Sequence, residues 1–152
     1  MKTNTNTDDL SRSLEDYLEV IYQLEKKNRV ARVKDIADAM NVQMPSVTGA
    51  IKNLKRKNLV NYEKNSFISL SEKGLVLAES VLDRHSALRD FLQEVLLVPT
   101  KTAEDQACKM EHAIDPETAL RFRCCTRFFR DEVIGKKLVD AARWKKIVTA
   151  KP

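Results

Sequence analysis

The chain has 152 residues, 43% hydrophobic and 32% charged, so it can bury a core and is not disordered by composition. Its net charge of +5 is unevenly spread: residues 26–73 carry eleven Lys and Arg against four Asp and Glu, whereas residues 74–119 carry four against nine. No apolar run is long enough to span a bilayer, the polar opening MKTNTNTDDL carries no signal-peptide core, and the odd count of three cysteines argues against a disulfide framework, so a cytoplasmic protein is expected.

Residues 11–27 predict a first helix, because Leu14, Tyr17, Leu18, Ile21 and Leu24 recur at helical spacing and Ser11 or Ser13 can cap its start. Asp16 and Glu19 lie on that helix at i and i+3. A short second helix, VKDIADAM, turns Ile36, Ala37 and Met40 inward, and the turn Asn41–Met44 follows it. Pro45 then opens a third helix, PSVTGAIKNLKRKN, with Val47, Ile51 and Leu54 inward. Two short helices with a tight turn, the second closing on Lys and Arg, form the pattern of a helix-turn-helix. On that pattern Pro45, Ser46, Thr48 and Lys52 are candidates for base contacts, and Lys34, Lys55, Arg56 and Lys64 for phosphate contacts. Gly49 stands where a larger side chain could have read a base, which suggests modest direct readout or close backbone approach.

Two apolar stretches, Leu59 to Tyr62 and Phe67 to Leu70, flank polar Glu63–Ser66 and predict a hairpin, which directly after a helix-turn-helix is a wing. Ser71 is placed to cap a long helix over about 72–97. Thr102, with Asp105 three residues on, predicts the start of the next helix, and Asp115-Pro116 that of another running to about 141. Phe122, Phe128, Phe129, Val133 and Leu138 are its packing candidates, and the basic residues beyond about 143 are expected to be ragged.

The stretch QACKMEHAID places Cys108, Glu111 and His112 at i, i+3 and i+4, one face of a helix. With Asp16, Glu19 and His85, these donors suffice for one or two divalent ions: carboxylates suit Mn²⁺ and Fe²⁺, imidazole suits most first-row metals, and thiolate favours softer ions. Taken singly, the same residues also fit solvated surface or ordinary packing, and spacing alone does not bring the three segments together.

Four stretches, in order, resemble the diphtheria-toxin-repressor family of metal-dependent transcriptional regulators. EDYLEVIYQL resembles its opening helix and ARVKDIADAMNVQMPSVTGAIKNL its helix-turn-helix. SEKGLVLAESVLDRH resembles the entry to its linking helix and ACKMEHAI its metal-binding helix. The resemblance covers roughly residues 10–140 and is to the short manganese-responsive branch, without an SH3-like domain. It implies a mainly α fold, with a winged helix-turn-helix carrying a small β-hairpin in residues 1–72. A helical metal-binding and dimerisation domain would follow in residues 73–152, with a linking helix at about 72–97.

The implied protein is not an enzyme. It is a homodimeric repressor binding a palindromic double-stranded operator, with a divalent metal as co-repressor, and it controls metal-uptake genes. The resemblance implies a primary metal site of Asp16, Cys108, Glu111 and His112. Glu19 and His85 would complete a second site with Glu111 bridging, giving one or two ions per subunit. Cys108 stands where the manganese branch usually has a carboxylate, and Asp16 where the iron branch usually has Met. The chain therefore mixes the branches: Mn²⁺ and Fe²⁺ are the expected ions, Zn²⁺ is a further candidate, and Cys108 can offer its sulfur or its backbone carbonyl. The alternative is a winged-helix regulator that responds to thiol oxidation or an organic ligand, motivated by Cys108, Cys124 and Cys125.

Overall fold

A computed structural model describes residues 10–63 and 66–150. The chain divides into two compact units, residues 1–81 and 82–152.

In the first unit, α1 (Arg12–Asn28) buries Tyr17, Leu18 and Ile21, the central rows of the predicted stripe. Ser11 takes the N-cap position but makes no side-chain cap bond. The helix stops at Arg29, whose φ of 67° is left-handed and whose N–H donates to Glu25 O at 2.8 Å. After α2 (Val33–Met40), Asn41 is left-handed at φ 54° and Val42 N donates to Ala37 O at 3.0 Å, a closure that frees the chain to turn. Helix α3 (Met44–Arg56) carries Pro45 in its first turn, where no backbone donor is lost, and buries Val47, Ala50, Ile51 and Leu54.

Strands β1 (Val60–Tyr62) and β2 (Ile68–Leu70) pair antiparallel, Val60 with Leu70 and Tyr62 with Ile68. Ala31 exchanges two backbone bonds with Ile68, at 3.1 and 2.8 Å, and so ties the hairpin to the entry of α2. Leu18, Ile21, Ile36, Val47, Ile51, Leu54 and Ile68, all 0% exposed, form the core. Burying each such side chain contributes on the order of 2 kcal/mol before chain entropy is subtracted. Within the hairpin Phe67 is 51% exposed. Successive strand side chains alternate faces, so once Ile68 turns inward Phe67 must turn out.

Helix α4 (Glu72–Asp90) begins as expected: Ser71 Oγ accepts from Gly74 N at 3.0 Å and donates to Asn58 O at 2.7 Å. Gly74 is needed there, because a Cβ would lie 1.9 Å from Leu59 O. Leu75 is 39% exposed.

In the second unit the chain continues from α4 as a π-helical segment, Phe91–Val95. Helix α5 (Thr100–Met110) starts directly after Pro99, so Thr102 sits inside the first turn instead of capping it, and Ala103 N bonds Pro99 O at 2.9 Å. Ala103 and Ala107, both 0% exposed, give α5 a small-residue inner face. Helix α6 (Pro116–Phe128) is capped by Asp115, which accepts from Thr118 N at 2.7 Å, and continues as a π-helical segment, Phe129–Ile134.

That helix ends well before 141. Of its packing candidates, Phe122 meets Phe91 edge-on at 4.9 Å, while Phe128 and Leu138 are 61% and 70% exposed. Arg130 grips Glu94 through two bonds at 2.6 and 2.5 Å. The tail is not ragged: α7 (Ala141–Val148) is capped by Asp140, which accepts from Arg143 N at 2.9 Å. Trp144 docks it, donating from Nε1 to Val95 O at 2.7 Å with its ring 5.0 Å from that of Phe129. Among the described residues no helix is long and apolar enough to cross a membrane.

Candidate metal and nucleic-acid sites

Helix α5 tightens at its end. Its regular turns stop at Met110, and Glu111–Ala113 form a single 3-10 turn. The donors that helical spacing placed on one face differ in exposure. Glu111 is 0% exposed and the His112 side chain 6%, whereas Cys108 is exposed. Cys108 Sγ does not join Glu111 and His112 in a tight group of donor atoms among the described residues.

Glu111 is the hub of the second unit's polar interior. Its backbone carbonyl accepts from Arg84 Nε at 2.8 Å. Oε2 lies 2.6 Å from His85 Nδ1, and His85 Nε2 lies 2.8 Å from Glu104 Oε2. Arg89 extends the line, 3.8 Å from Glu104 Oε1. Hydrogen bonding to the Glu111 carboxylate, helped by Glu104, pushes the His85 imidazole up to about 9 against the opposing effect of burial. The other carboxylate oxygen, Oε1, is buried 3.1 Å from His112 Nε2 and accepts no hydrogen bond among the described residues.

A buried anionic oxygen without a donor is costly. An imidazole nitrogen 3.1 Å away makes the pair a fitting start for coordinating a divalent cation, since both are ordinary ligands of first-row ions. Asp16 and Glu19 lie half-buried on α1 in the first unit. Sequence reading missed Glu104 and Arg84. Glu104 carries a legible signal, standing four residues before Cys108 and seven before Glu111 at helical spacing.

The DNA-contact candidates lie on the first unit. Pro45, Thr48 and Lys52 line one surface concavity together with Arg32 and Phe67. Lys52, Lys55 and Arg56 line a second, which shares Gly49 and Lys52 with the first. Lys34 borders a third, at the turn between α2 and α3. Ser46 is exposed at the start of α3, and Lys64 lies outside the described residues. Thr48 Oγ1 donates to Met44 O at 3.1 Å, which leaves its lone pairs available. Lys55 Nζ reaches Tyr62 O at 2.6 Å, bridging α3 to β1. Arg32 and Phe67 were missed, and they belong together: the guanidinium sits 5.1 Å over the ring.

The comparisons agree with this division of labour. Residues 9–68 match the model of the iron-dependent repressor N-terminal DNA-binding domain. Residues 71–138 match that of the iron-dependent repressor metal-binding and dimerisation domain. An uncharacterized helix-turn-helix-type transcriptional regulator of Methanocaldococcus jannaschii is 39% identical over 82% of this chain and its own entire length. The transcriptional regulator MntR of Oceanobacillus iheyensis is 32% identical over 79% of this chain and 81% of its own. Among solved structures, the manganese regulator SloR superposes with a TM-score of 0.66 at 29% identity, over 76% of this chain and 54% of its own. IdeR of T. acidophilum gives 0.63 at 25% identity, over 71% and 51%, so the chain spans about half the length of these two solved chains. The chain belongs to the iron-dependent repressor family, the metal-dependent, DNA-binding transcriptional regulators of the diphtheria-toxin-repressor type, and is not an enzyme.

Proposed function

We propose that the chain is a cytoplasmic homodimeric repressor of metal-uptake genes that reads a palindromic operator when Mn²⁺ or Fe²⁺ is bound. The observation that carries this reading is the buried Glu111 Oε1, which accepts no hydrogen bond among the described residues and lies 3.1 Å from His112 Nε2. Asp16, Glu111 and His112, with Cys108, are the primary ligand set in this proposal. Glu19 and His85 make a second set with Glu111 bridging. A bound divalent ion supplies two positive charges against these carboxylates.

The chain's own residues do the rest. Asp16 and Glu19 bring the carboxylates of α1 to the set, and His112 brings an imidazole. Glu104 and Arg84 hold His85 and the Glu111 carbonyl in place, the orienting role that outer partners of metal ligands play. Pro45, Ser46, Thr48 and Lys52 meet the major-groove edges, and Lys34, Lys55, Arg56 and Lys64 meet phosphates. Hard carboxylates favour Mn²⁺ and Fe²⁺, and the Cys108 thiolate would draw the preference toward softer Zn²⁺.

The test is operator binding titrated with Mn²⁺, Fe²⁺ and Zn²⁺ on wild type and Cys108→Glu. Metal-dependent binding is expected for both, with the variant shifted toward Mn²⁺. Equal DNA binding in chelator and in metal would overturn the co-repressor reading, and an unshifted preference would remove the sulfur from the ligand set.

A further inference from the structure

Two of the chain's three glycines have a reason inside the protein. A Cβ at Gly74 would strike Leu59 O at 1.9 Å, and one at Gly135 would come within 2.5 Å of Asp131 O. Gly49 has none. A Cβ there meets nothing within 4 Å among the described residues, and its φ is not positive. Yet it sits inside α3, exposed, at a position where glycine is the least favourable choice short of proline. The fold gains nothing from leaving that side chain out.

What lies outside is informative. Gly49 and Lys52 stand on the saddle where two concavities of the first unit meet. One side is walled by Met44 and Pro45 and by Phe67 of the hairpin, with Met44 54% and Phe67 51% exposed. The other carries Lys55 and Arg56. An apolar wall on one flank and cations on the other suit a ligand with flat or methyl-bearing edges and a polyanionic rim, which is duplex DNA.

We propose that Gly49 is a close-approach position: a base-pair edge packs directly on the α3 backbone there, between Pro45 and Lys52, and a side chain at 49 would hold the DNA off. Met44 and Phe67 then contact DNA as apolar walls, and the stacked Arg32 fixes the ring of Phe67. Specificity at this position is steric, since glycine has no side chain with which to read a donor or acceptor. The proposal rests on the DNA-binding reading of α3 given above.

The test compares wild type with Gly49→Ala. Thermal unfolding is measured without DNA. Affinity is measured for a duplex enriched from a random-sequence library by the Mn²⁺-loaded wild type, and for an unrelated duplex of equal length. Alanine should raise Tm by about 2–4 °C, because it removes an unfavourable helix residue at no steric cost. It should weaken binding to the enriched duplex at least roughly tenfold, the scale of one lost base contact, with the unrelated duplex unaffected. Unchanged affinity for the enriched duplex would overturn the proposal, and so would a lower Tm, which would mean that the fold itself needs the glycine. If the wild type enriched no duplex with Mn²⁺ or Fe²⁺, the DNA-binding reading itself would fail, a result distinct from tight wild-type binding that Gly49→Ala leaves untouched.

Discussion

Replacing Glu111 with glutamine keeps its volume and removes its charge, which separates its part in the fold from its part in binding a cation. The carboxylate is 0% exposed, with Oε2 2.6 Å from His85 Nδ1 and Oε1 3.1 Å from His112 Nε2. Exchanging a charge-assisted bond to His85 for a neutral one costs about 1 kcal/mol. Relief from burying a carboxylate with one oxygen lacking a donor is of similar size and opposite sign. Glu111→Gln should therefore leave metal-free stability within about 1 kcal/mol of wild type. Metal binding has no such compensation. At Mn²⁺ a hundredfold above its dissociation constant, mass action stabilises wild type by about 2.7 kcal/mol, and a hundredfold weaker site retains roughly 0.4 kcal/mol. The metal-induced rise in Tm should thus fall from about 5–10 °C to about 1 °C. Thermal unfolding in chelator and in Mn²⁺ reads both quantities. An undiminished metal shift in the variant would refute the ligand role, and a loss beyond about 3 kcal/mol in chelator would show that the His85–Glu111 pair chiefly holds the fold.

Trp144→Phe keeps a ring against Phe129 and loses the bond to Val95 O, so it should cost about 1 kcal/mol in chemical denaturation. Trp144→Ala should cost about 2–3 kcal/mol, and equal losses would mean that ring packing contributes nothing. Asp115→Ala removes the cap of α6 and should lower stability at neutral pH. The Thr118 backbone N–H holds the Asp115 carboxyl below its usual value. The cap's contribution is therefore present above the ordinary carboxylate range and lost as pH falls through the lowered value, so the stability curves of wild type and variant should converge in acid. Parallel curves would contradict that assignment.

Periodicity located α1, α2, α3 and the entry to α4, because each buries one continuous stripe and each end is marked by local chemistry: Asn41 in the left-handed region, Pro45 in a first turn, Ser71 at a cap. Where pitch changes, sequence reasoning lost its footing. It extrapolated a regular helix through Glu111, where the chain instead forms a 3-10 turn, with Glu111 buried and Cys108 exposed. It carried α6 too far, across a π-helical segment held by Glu94 and Arg130, residues thirty-six apart that no local pattern pairs. It read the tail by charge and overlooked Asp140 as a cap and Trp144 as an anchor, whose partner Val95 is forty-nine residues away. Glu111 and His112 could be paired from the sequence because they are adjacent. Glu104 was hidden by the ambiguity of acidic residues, most of which are simply solvated.

The first unit's architecture constrains how a metal can control DNA binding. Its core, from Leu18 through Ile36, Val47, Ile51 and Ile68, draws only on residues before 82, and α3 is set against α1 and α2 by that core. Of the proposed ligands only Asp16 and Glu19, half-buried on α1 and outside that core, belong to this unit; Cys108, Glu111, His112 and His85 do not. The shape of the reading head is therefore fixed by packing that these donors do not supply, and loss of metal has no reason to unfold α3. On the proposed reading, the co-repressor acts on the distribution of arrangements in which two reading heads are offered to one operator. A ligand shifts such a distribution only by its differential affinity for the states. The same coupling must then run in reverse: operator DNA has to tighten metal binding by the factor by which metal tightens operator binding.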